Sequence, residues 1–562
     1  MKVVIIGGVA GGASAAARLR RLDEEAEIVL LERGDAISYA NCGLPYYIGG
    51  DITEEGALTV QTPQGFRSRF RIDVRTGEEA VSIDRERKSV AVRKKNGAIY
   101  TEAYDVLLLS PGAEPVRPPL PGLDDPRVFT LRTIPDTLRI KRFIEEKRPR
   151  TALVVGGGYI GAEMAENLAR AGLQVTIAEL ADHLIPPLDY DMACGVHQYL
   201  RSKGIRLLLK TGLSGLIPEA GGLRANLGTE APLFDMVLLS VGVRPDTRLA
   251  REAGLPLNSK GAILVDEHMR TADPAIYAVG DAVEIRERVT GGAGYIPLAG
   301  PANKQGRIAA DNIAGGGSVY RGTQGSAVLK LFDMTVATTG INEETARRAG
   351  IPFDKVYTLS PSHATYYPGA TNISLKLLFE QGSGRLLGAQ LTGFDGVDKR
   401  CDVLATAVRA GMTAFDLTEL ELAYAPPYSS AKDPVNMAGF VAENVLTGKV
   451  KQYHWHDVDT LPRGGAVTLL DVRTSGEYAR GHIEGARHIP LDSLRSRLAE
   501  LDKGKPVYVN CQSGLRSYIA CRILTQAGFD CFNLAGGYRL YESVIRETSF
   551  DTRPAGPCGL PL

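Results

Sequence analysis

Residues 152–172 read ALVVGGGYIGAEMAENLARAG. A short apolar run meets a glycine cluster, and an alanine-rich amphipathic segment follows, so the stretch predicts strand, turn and helix. The G-x-G-x-x-G pattern spans 156–161. Gly156 permits the tight turn, Gly158 lets the backbone approach a pyrophosphate, and Gly161 allows close helix–strand packing, with the helix N-terminus facing the anion. A second strand, VTIA at 175–178, runs into Glu179, the spacing of a carboxylate that bonds a ribose 2′-hydroxyl. Such a carboxylate repels a 2′-phosphate, so NADH is expected over NADPH.

The same unit opens the chain. KVVII at 2–6 precedes the loop Gly7, Gly8, Val9, Ala10, Gly11, Gly12, then the helical ASAAARLRRL and a strand, EIVLL, ending at Glu32. Val9 stands where the middle glycine belongs, which weakens this motif; Glu32 supports it. Far downstream, AIYAVGD closes a third strand on Gly280 and Asp281, an acid suited to a ribityl chain. Two βαβ openings and a late strand-Gly-Asp resemble the two-dinucleotide flavoprotein reductases over roughly residues 1–450. The resemblance implies FAD on the first domain and NADH on the second. It adds Arg33, Ser110, Gly112, Ile160, Gly242 and Ala299 to the cofactor contacts.

Composition is consistent with this. The 562 residues are 44% hydrophobic and 23% charged, with Lys+Arg and Asp+Glu at 65 each. That excludes a mostly disordered chain, and a net charge of zero gives no basis for nucleic acid as partner. No apolar stretch reaches the length of a membrane span, and the N-terminus enters a strand with no signal-like segment. Seven cysteines show no disulfide framework. A cytoplasmic protein is expected, and a working cysteine is expected to be reactive.

SYANCGLPYY at 38–47 follows Glu32 closely and holds one thiol, Cys42; the next cysteine is Cys194. A lone thiol forms no internal disulfide, so it cycles through a mixed disulfide, persulfide or sulfenic acid. Cys42 precedes a short helix and is expected to lie beside the flavin, a setting that favours thiolate. With the first glycine loop, this peptide resembles the coenzyme A disulfide reductases and their NADH oxidase/peroxidase relatives. The basic first helix, with Arg18, Arg20 and Arg21, favours the disulfide branch, because guanidinium pairs match phosphates. The resemblance places coenzyme A contacts at Ser14, Arg18, Arg21, Ser38, Asn41 and Arg71, with Lys432 near a substrate phosphate. In the third domain it implies a homodimer in which two tyrosines of the partner subunit reach toward the thiol. Tyr367 and Tyr424 match them best, with Tyr366 and Tyr428 as competitors.

Near the C-terminus, TLLDVR at 468–473 is followed by GHIEGARHIP, then VNCQSGLRS, then LAGGY. A strand ending at Cys511, a tight loop and a helix surround a thiolate with backbone N–H groups, which stabilises an anion. The order of these segments resembles a rhodanese domain, with a sulfurtransferase-length loop and Arg516 placed to pair with a bound sulfur anion. Cys521, Cys531 and Cys558 read as helix, strand and tail residues. No C-x-x-C pair exists and HWH at 454–456 is isolated, so no metal is expected.

The chain is therefore expected to be α/β: two Rossmann-like dinucleotide-binding domains, an α+β dimerisation domain and a C-terminal α/β rhodanese domain. The divisions are 1–112 and 245–325 for FAD, 113–244 for NADH, 326–450 for dimerisation, 451–465 as linker, 466–550 as rhodanese and 551–562 as tail. The expected activity is NADH- and FAD-dependent reduction of coenzyme A persulfide, polysulfide or coenzyme A disulfide, with Cys511 supplying sulfane sulfur. Two rival readings are an NADH oxidase/peroxidase working through a Cys42 sulfenic acid, and a sulfur-relay protein whose reductase half is only a scaffold.

Overall fold

A computed structural model describes residues 1–550. The expected tail, including Cys558, lies outside the described residues. The described residues form two compact units, Met1–Ala181 with Lys210–Thr323, and Asp182–Leu209 with 324–550.

In the first unit, Lys2–Ile6 pairs in parallel with Glu27–Glu32 and with Val106–Leu109. The strand Ile276–Ala278 returns from late in the chain to pair with Val106–Leu109, completing a five-stranded sheet with Asp73–Thr76 at the far edge. The central strands are apolar because both faces are covered: Val3, Val4, Ile5, Leu30 and Leu108 are all essentially inaccessible. Helix Ala10–Leu22 covers one face together with Ala299–Ile313. A second parallel sheet contains Thr151–Val155 between Gln174–Ala178 and Met236–Leu239, with helix Tyr159–Arg170 after the glycine loop.

The second unit holds two sheets. One is antiparallel, in the order Ala327–Leu331, Met334–Gly340, Leu386–Gly393, Asn372–Glu380, Phe353–Pro361. Helices Val397–Ala410 and Pro434–Leu446 pack on it. The strand Phe353–Pro361 and the helix Tyr190–Ser202 were not among the sequence expectations. That helix belongs to this unit through buried charge: Lys376, fully inaccessible, is met by Asp189, Asp191 and Glu343.

The other sheet is parallel, in the order Lys451–Tyr453, Cys531–Leu534, Val507–Asn510, Thr468–Asp471, Arg487–His488. Its edge corrects the reading of 451–465 as a linker. Lys451–Tyr453 is a strand of this sheet, and the turn Trp455–Thr460 anchors it, with the Trp455 indole donating to Asp191 at 3.2 Å. At the other end, buried Glu547 takes the Arg201 guanidinium on both oxygens. Among the described residues no helix is long and apolar enough to cross a membrane.

Candidate active site

The first glycine loop is built for close approach. Gly7 has φ +98°, and a Cβ there would lie 2.1 Å from the Ser110 carbonyl oxygen; one on Gly12 would lie 1.9 Å from the Gly7 oxygen. Gly11 is pressed by Val279 and the Ser110 hydroxyl. Glu32 accepts from the Gly8 N–H at 2.9 Å and the Gly34 N–H at 2.8 Å, which fixes its carboxylate beside the loop. The sequence reading missed Gly306, whose Cβ would meet the Gly11 oxygen at 2.3 Å. It lets the Ala299–Ile313 helix lie against the first helix, and only the three-dimensional packing reveals the need for it.

Beside this loop, Arg33, Arg117, Arg132 and Arg244 line a recess of about 300 Å³ with Glu114 and Thr130. Arg33 pairs with Asp246 at 3.1 Å and Arg244 with Glu114 at 3.7 Å, so the recess carries both signs of charge with a surplus of guanidinium groups, which suits a phosphate-bearing ligand. Gly112 (φ +75°) approaches Arg132, whose Nε donates to the Ala113 carbonyl at 2.8 Å. Asp281 sits in the turn Gly280–Ala282, held by Gly280 N–H donating to Gln305 at 2.7 Å. Burial pushes its carboxyl up, and Arg132 opposes that. The Tyr295 hydroxyl and the Asn41 side-chain oxygen are buried with no partner in the protein. Glycine cradles, cationic recess and orphaned polar groups together fit FAD.

The second loop follows the expected pattern. Gly156 (φ +101°) abuts the Ser240 oxygen, and Gly161 abuts the Gly156 oxygen at 2.0 Å from a notional Cβ. Gly158 has nothing within 4 Å of that position, as a ligand-facing glycine requires, and Gly242 is equally open. Glu179 accepts from the Gly157 and Ala181 N–H groups at 2.6 and 2.8 Å. Ile160 is 40% exposed at the loop's edge. These residues fit NADH.

Cys42 lies in the turn Asn41–Gly43, which leads into helix Leu44–Gly49. Its residue is exposed and its thiol is free. Desolvation of the sulfur raises its pKa, the Glu163 and Asp281 carboxylates add to that, and only Arg132 opposes them. Glu163 is the acid the sequence reading overlooked. It stands on helix Tyr159–Arg170, just past its first turn, and accepts from the Tyr46 hydroxyl at 3.2 Å.

The residues matched to coenzyme A contacts divide. Arg21 is exposed, as is Arg71, which caps helix Pro63–Phe70 at φ +48°. Ser38 adopts φ +45° and donates its N–H to the Gly8 oxygen at 2.7 Å. Ser14 bonds Asn303, and Arg18 pairs with Asp311 at 2.7 Å. Arg20 departs from the reading of a basic phosphate-facing helix. It is buried, and its guanidinium donates to the carbonyls of Asp23, Glu24, Ala26, Phe70 and Arg71, a structural role.

In the second unit the tyrosine hydroxyls that meet are those of Tyr366 and Tyr424, 2.7 Å apart, while Tyr367 packs edge-on against His363. Tyr428 is exposed, as is Lys432. Arg400, almost fully buried, holds the two tyrosine loops together through Asp433, Ser429 and the Ser362 and Tyr428 carbonyls.

The C-terminal sheet carries Cys511 at the end of Val507–Asn510. Its sulfur accepts from the Gly514 N–H at 3.1 Å and the Ser517 hydroxyl at 3.2 Å. Arg516 does not stand free for an anion; it is bidentate to Glu477 at 2.7 and 2.8 Å. Arg473 pairs with Asp471, bonds the Gly481 carbonyl and reaches Gln512 of the loop at 3.3 Å. Cys521 and Cys531 lie on helix Leu515–Gln526 and strand Cys531–Leu534, both buried.

Comparison with known proteins agrees with this assembly. Residues 1–306 match the pyridine nucleotide-disulphide oxidoreductase family, 326–434 its dimerisation domain, and 455–543 the rhodanese-like domain. The chain is 35% identical over 446 residues to a coenzyme A disulfide reductase of Staphylococcus haemolyticus, covering 79% of this chain and all of the relative. The crystal structure of reduced CoADR-RHD from Bacillus anthracis superposes with a TM-score of 0.95 at 49% identity, covering 97% of this chain and 98% of that one. A NAD-dependent persulfide reductase from A. fulgidus gives 0.90 at 40% identity, covering 96% and 100%. The chain thus belongs to the pyridine nucleotide-disulphide oxidoreductases, as an FAD- and NADH-dependent disulfide or persulfide reductase extended by a rhodanese domain.

Proposed function

We propose that the enzyme reduces coenzyme A persulfide, polysulfide or coenzyme A disulfide at Cys42, and that Cys511 supplies sulfane sulfur to it. The observation that carries this reading is that Cys42 is the sole cysteine of the first unit and a free thiol. Without a second thiol in that unit, the partner in exchange is a substrate sulfur. The FAD, when bound, supplies the electron pair that regenerates the thiol.

The remaining roles belong to the chain. The Cys42 thiolate attacks a sulfur of the substrate, forming a mixed disulfide and expelling hydrosulfide or a thiolate. Arg21 and Arg71, exposed, meet the phosphates of coenzyme A, with Ser14, Arg18, Ser38, Asn41 and Lys432 completing the contacts. In a homodimer the tyrosines of a partner subunit hydrogen-bond the leaving sulfur. Tyr424 is common to the expected pair and the observed hydroxyl pair, and Tyr366 or Tyr367 accompanies it. At Cys511 the Gly514 N–H and Ser517 hydroxyl stabilise the thiolate that picks up and passes on sulfane sulfur.

The test is NADH-dependent sulfide and thiol release from coenzyme A persulfide, coenzyme A disulfide and polysulfide, comparing the native enzyme with Cys42→Ser and Cys511→Ser. Cys42→Ser is expected to abolish all three. Cys511→Ser is expected to spare coenzyme A disulfide and slow the inorganic donor. Undiminished sulfide release by Cys42→Ser would refute the assignment.

A further inference from the structure

Two cysteines of the C-terminal sheet take no part in the chemistry at Cys511. Cys521 lies on helix Leu515–Gln526, and Cys531 opens strand Cys531–Leu534, against which that helix packs. The Cys531 sulfur lies 3.3 Å from the Cys521 carbonyl oxygen and 3.3 Å from the Thr525 hydroxyl. Residues 521 and 525 are one turn apart on the same helix face, so these two distances seat the Cys531 sulfur between them. The Cys521 thiol hydrogen-bonds it in turn. Strand pairing sets Cys531 beside Val507. Cys511 lies four residues further along, about 13 Å at the usual strand rise, so the pair is separate from the Cys511 loop.

We propose that Cys531 and Cys521 are a redox-active dithiol that takes up low-molecular-weight disulfides, Cys531 as the attacking thiol and Cys521 as the resolving one. The Cys531 sulfur attacks one sulfur of the small disulfide, a mixed disulfide forms on Cys531, and the first small thiol leaves. Cys521 then attacks the Cys531 sulfur, the internal S–S bond forms, and the second small thiol leaves. The two cysteines are oxidised, the small disulfide is reduced to two thiols, and the two cysteine protons leave with them, so no further reactant is needed. The new bond ties the helix that carries Ser517, a donor to Cys511, to the sheet.

The surroundings divide the roles. The hydrogen bond to Cys531, together with burial, raises the Cys521 pKa, so this thiol keeps its proton. The same hydrogen bond lowers the Cys531 pKa, with Thr525 and Lys451 adding to it and burial and Asp530 opposing. The more readily ionised thiol is the one that attacks. It also lies next to solvent: Thr525 and Asp530 beside it are exposed, and Asp530 is paired with Lys451 at 2.8 Å. Cys401 of the same unit is the contrast, a buried thiol that bonds the Thr338 carbonyl at 3.6 Å.

The experiment uses full-length, FAD-loaded enzyme without NADH, incubated with coenzyme A disulfide or, in parallel, glutathione disulfide. Remaining thiols are alkylated, and the tryptic peptides are weighed without reduction; cleavage after Arg522 separates the two cysteines. The native enzyme is expected to give the Cys521 and Cys531 peptides joined by a bond that dithiothreitol removes. Cys521→Ser is expected to stop at the small thiol's adduct on Cys531, and Cys531→Ser to leave Cys521 a free thiol. Modification at Cys531 should run about tenfold faster than at Cys401, the ratio that one unit of pKa gives. No joined peptides from the native enzyme with either disulfide, or modification of Cys401 at the same rate, overturns the proposal. So does a Cys521→Ser enzyme whose Cys531 stays free.

Discussion

The Arg516 guanidinium closes on both oxygens of Glu477, at 2.7 and 2.8 Å, one turn beyond the thiol of Cys511. The carboxyl sits at about 2, chiefly because of that pair, with the Thr474 cap contributing. Its folded pKa is depressed, so its contribution to stability is present above the ordinary glutamate range and is lost as pH falls toward 2. At neutral pH the pair therefore holds Arg516 back from any bound anion. Glu477→Gln removes the counter-charge and is expected to lower KM for an anionic sulfur donor such as thiosulfate. The expected size is up to about fivefold, the upper range for a part-exposed pair. Steady-state sulfurtransferase kinetics check it, and the NADH-dependent reaction of coenzyme A disulfide should not change.

Gly537 closes the Cys511 loop from above. At φ +67° its notional Cβ lies 2.6 Å from the Ser513 nitrogen and 2.7 Å from the Cys511 oxygen. Gly537→Ala is expected to push the loop out of shape and cost about 1–3 kcal/mol locally. Sulfurtransfer should fall at least tenfold while coenzyme A disulfide reduction continues. Parallel assays of the two half-reactions decide the matter.

Arg400 and Asp433 are 1% and 2% exposed, 2.8 Å apart, and hold the loops of Tyr366 and Tyr424. Arg400→Met leaves the Asp433 carboxylate buried and unpaired, a loss of roughly 3–5 kcal/mol by the usual cost of breaking a buried pair. Urea unfolding measures the stability. Reductase turnover should fall with it, because the tyrosine hydroxyls lose their common support.

Trp455 is the one tryptophan, and its indole bonds Asp191. Asp191 is held at about 2 by Lys376, Tyr357 and Lys355 against the cost of burial. A depressed pKa means stabilisation present above the unfolded value near 3.8, lost as pH falls from there through about 2. The tryptophan emission should therefore stay constant from pH 7 to 5 and shift to the red only below about 4. Asp191→Asn should move that transition to higher pH.

Much of this was legible in the sequence because it is local. Both glycine loops, Glu32, Glu179, the single Cys42 and the segments around Cys511 are motifs whose chemistry follows from neighbours in the chain. What escaped reading depends on segments far apart. Gly306 matters only because its helix lies on Gly11, and Glu163 only because its helix packs on Leu44–Gly49, where it meets Tyr46. Arg20 looked like its neighbours Arg18 and Arg21, yet five carbonyls capture it. The strand Lys451–Tyr453 is short and polar at its start, and only its pairing with Cys531–Leu534 makes it part of a sheet. The hydroxyl pair Tyr366–Tyr424 turned on side-chain direction, which spacing does not encode.

Trapping the thiol in mid-exchange is the most direct measurement. FAD-loaded enzyme, reduced with one equivalent of NADH, is quenched in acid milliseconds after mixing with coenzyme A disulfide, and the Cys42 peptide is weighed. The account predicts a coenzyme A adduct on Cys42 that forms no slower than turnover and disappears with further NADH. A Cys42 found unmodified or as sulfenic acid, while coenzyme A thiol is being released, would contradict it.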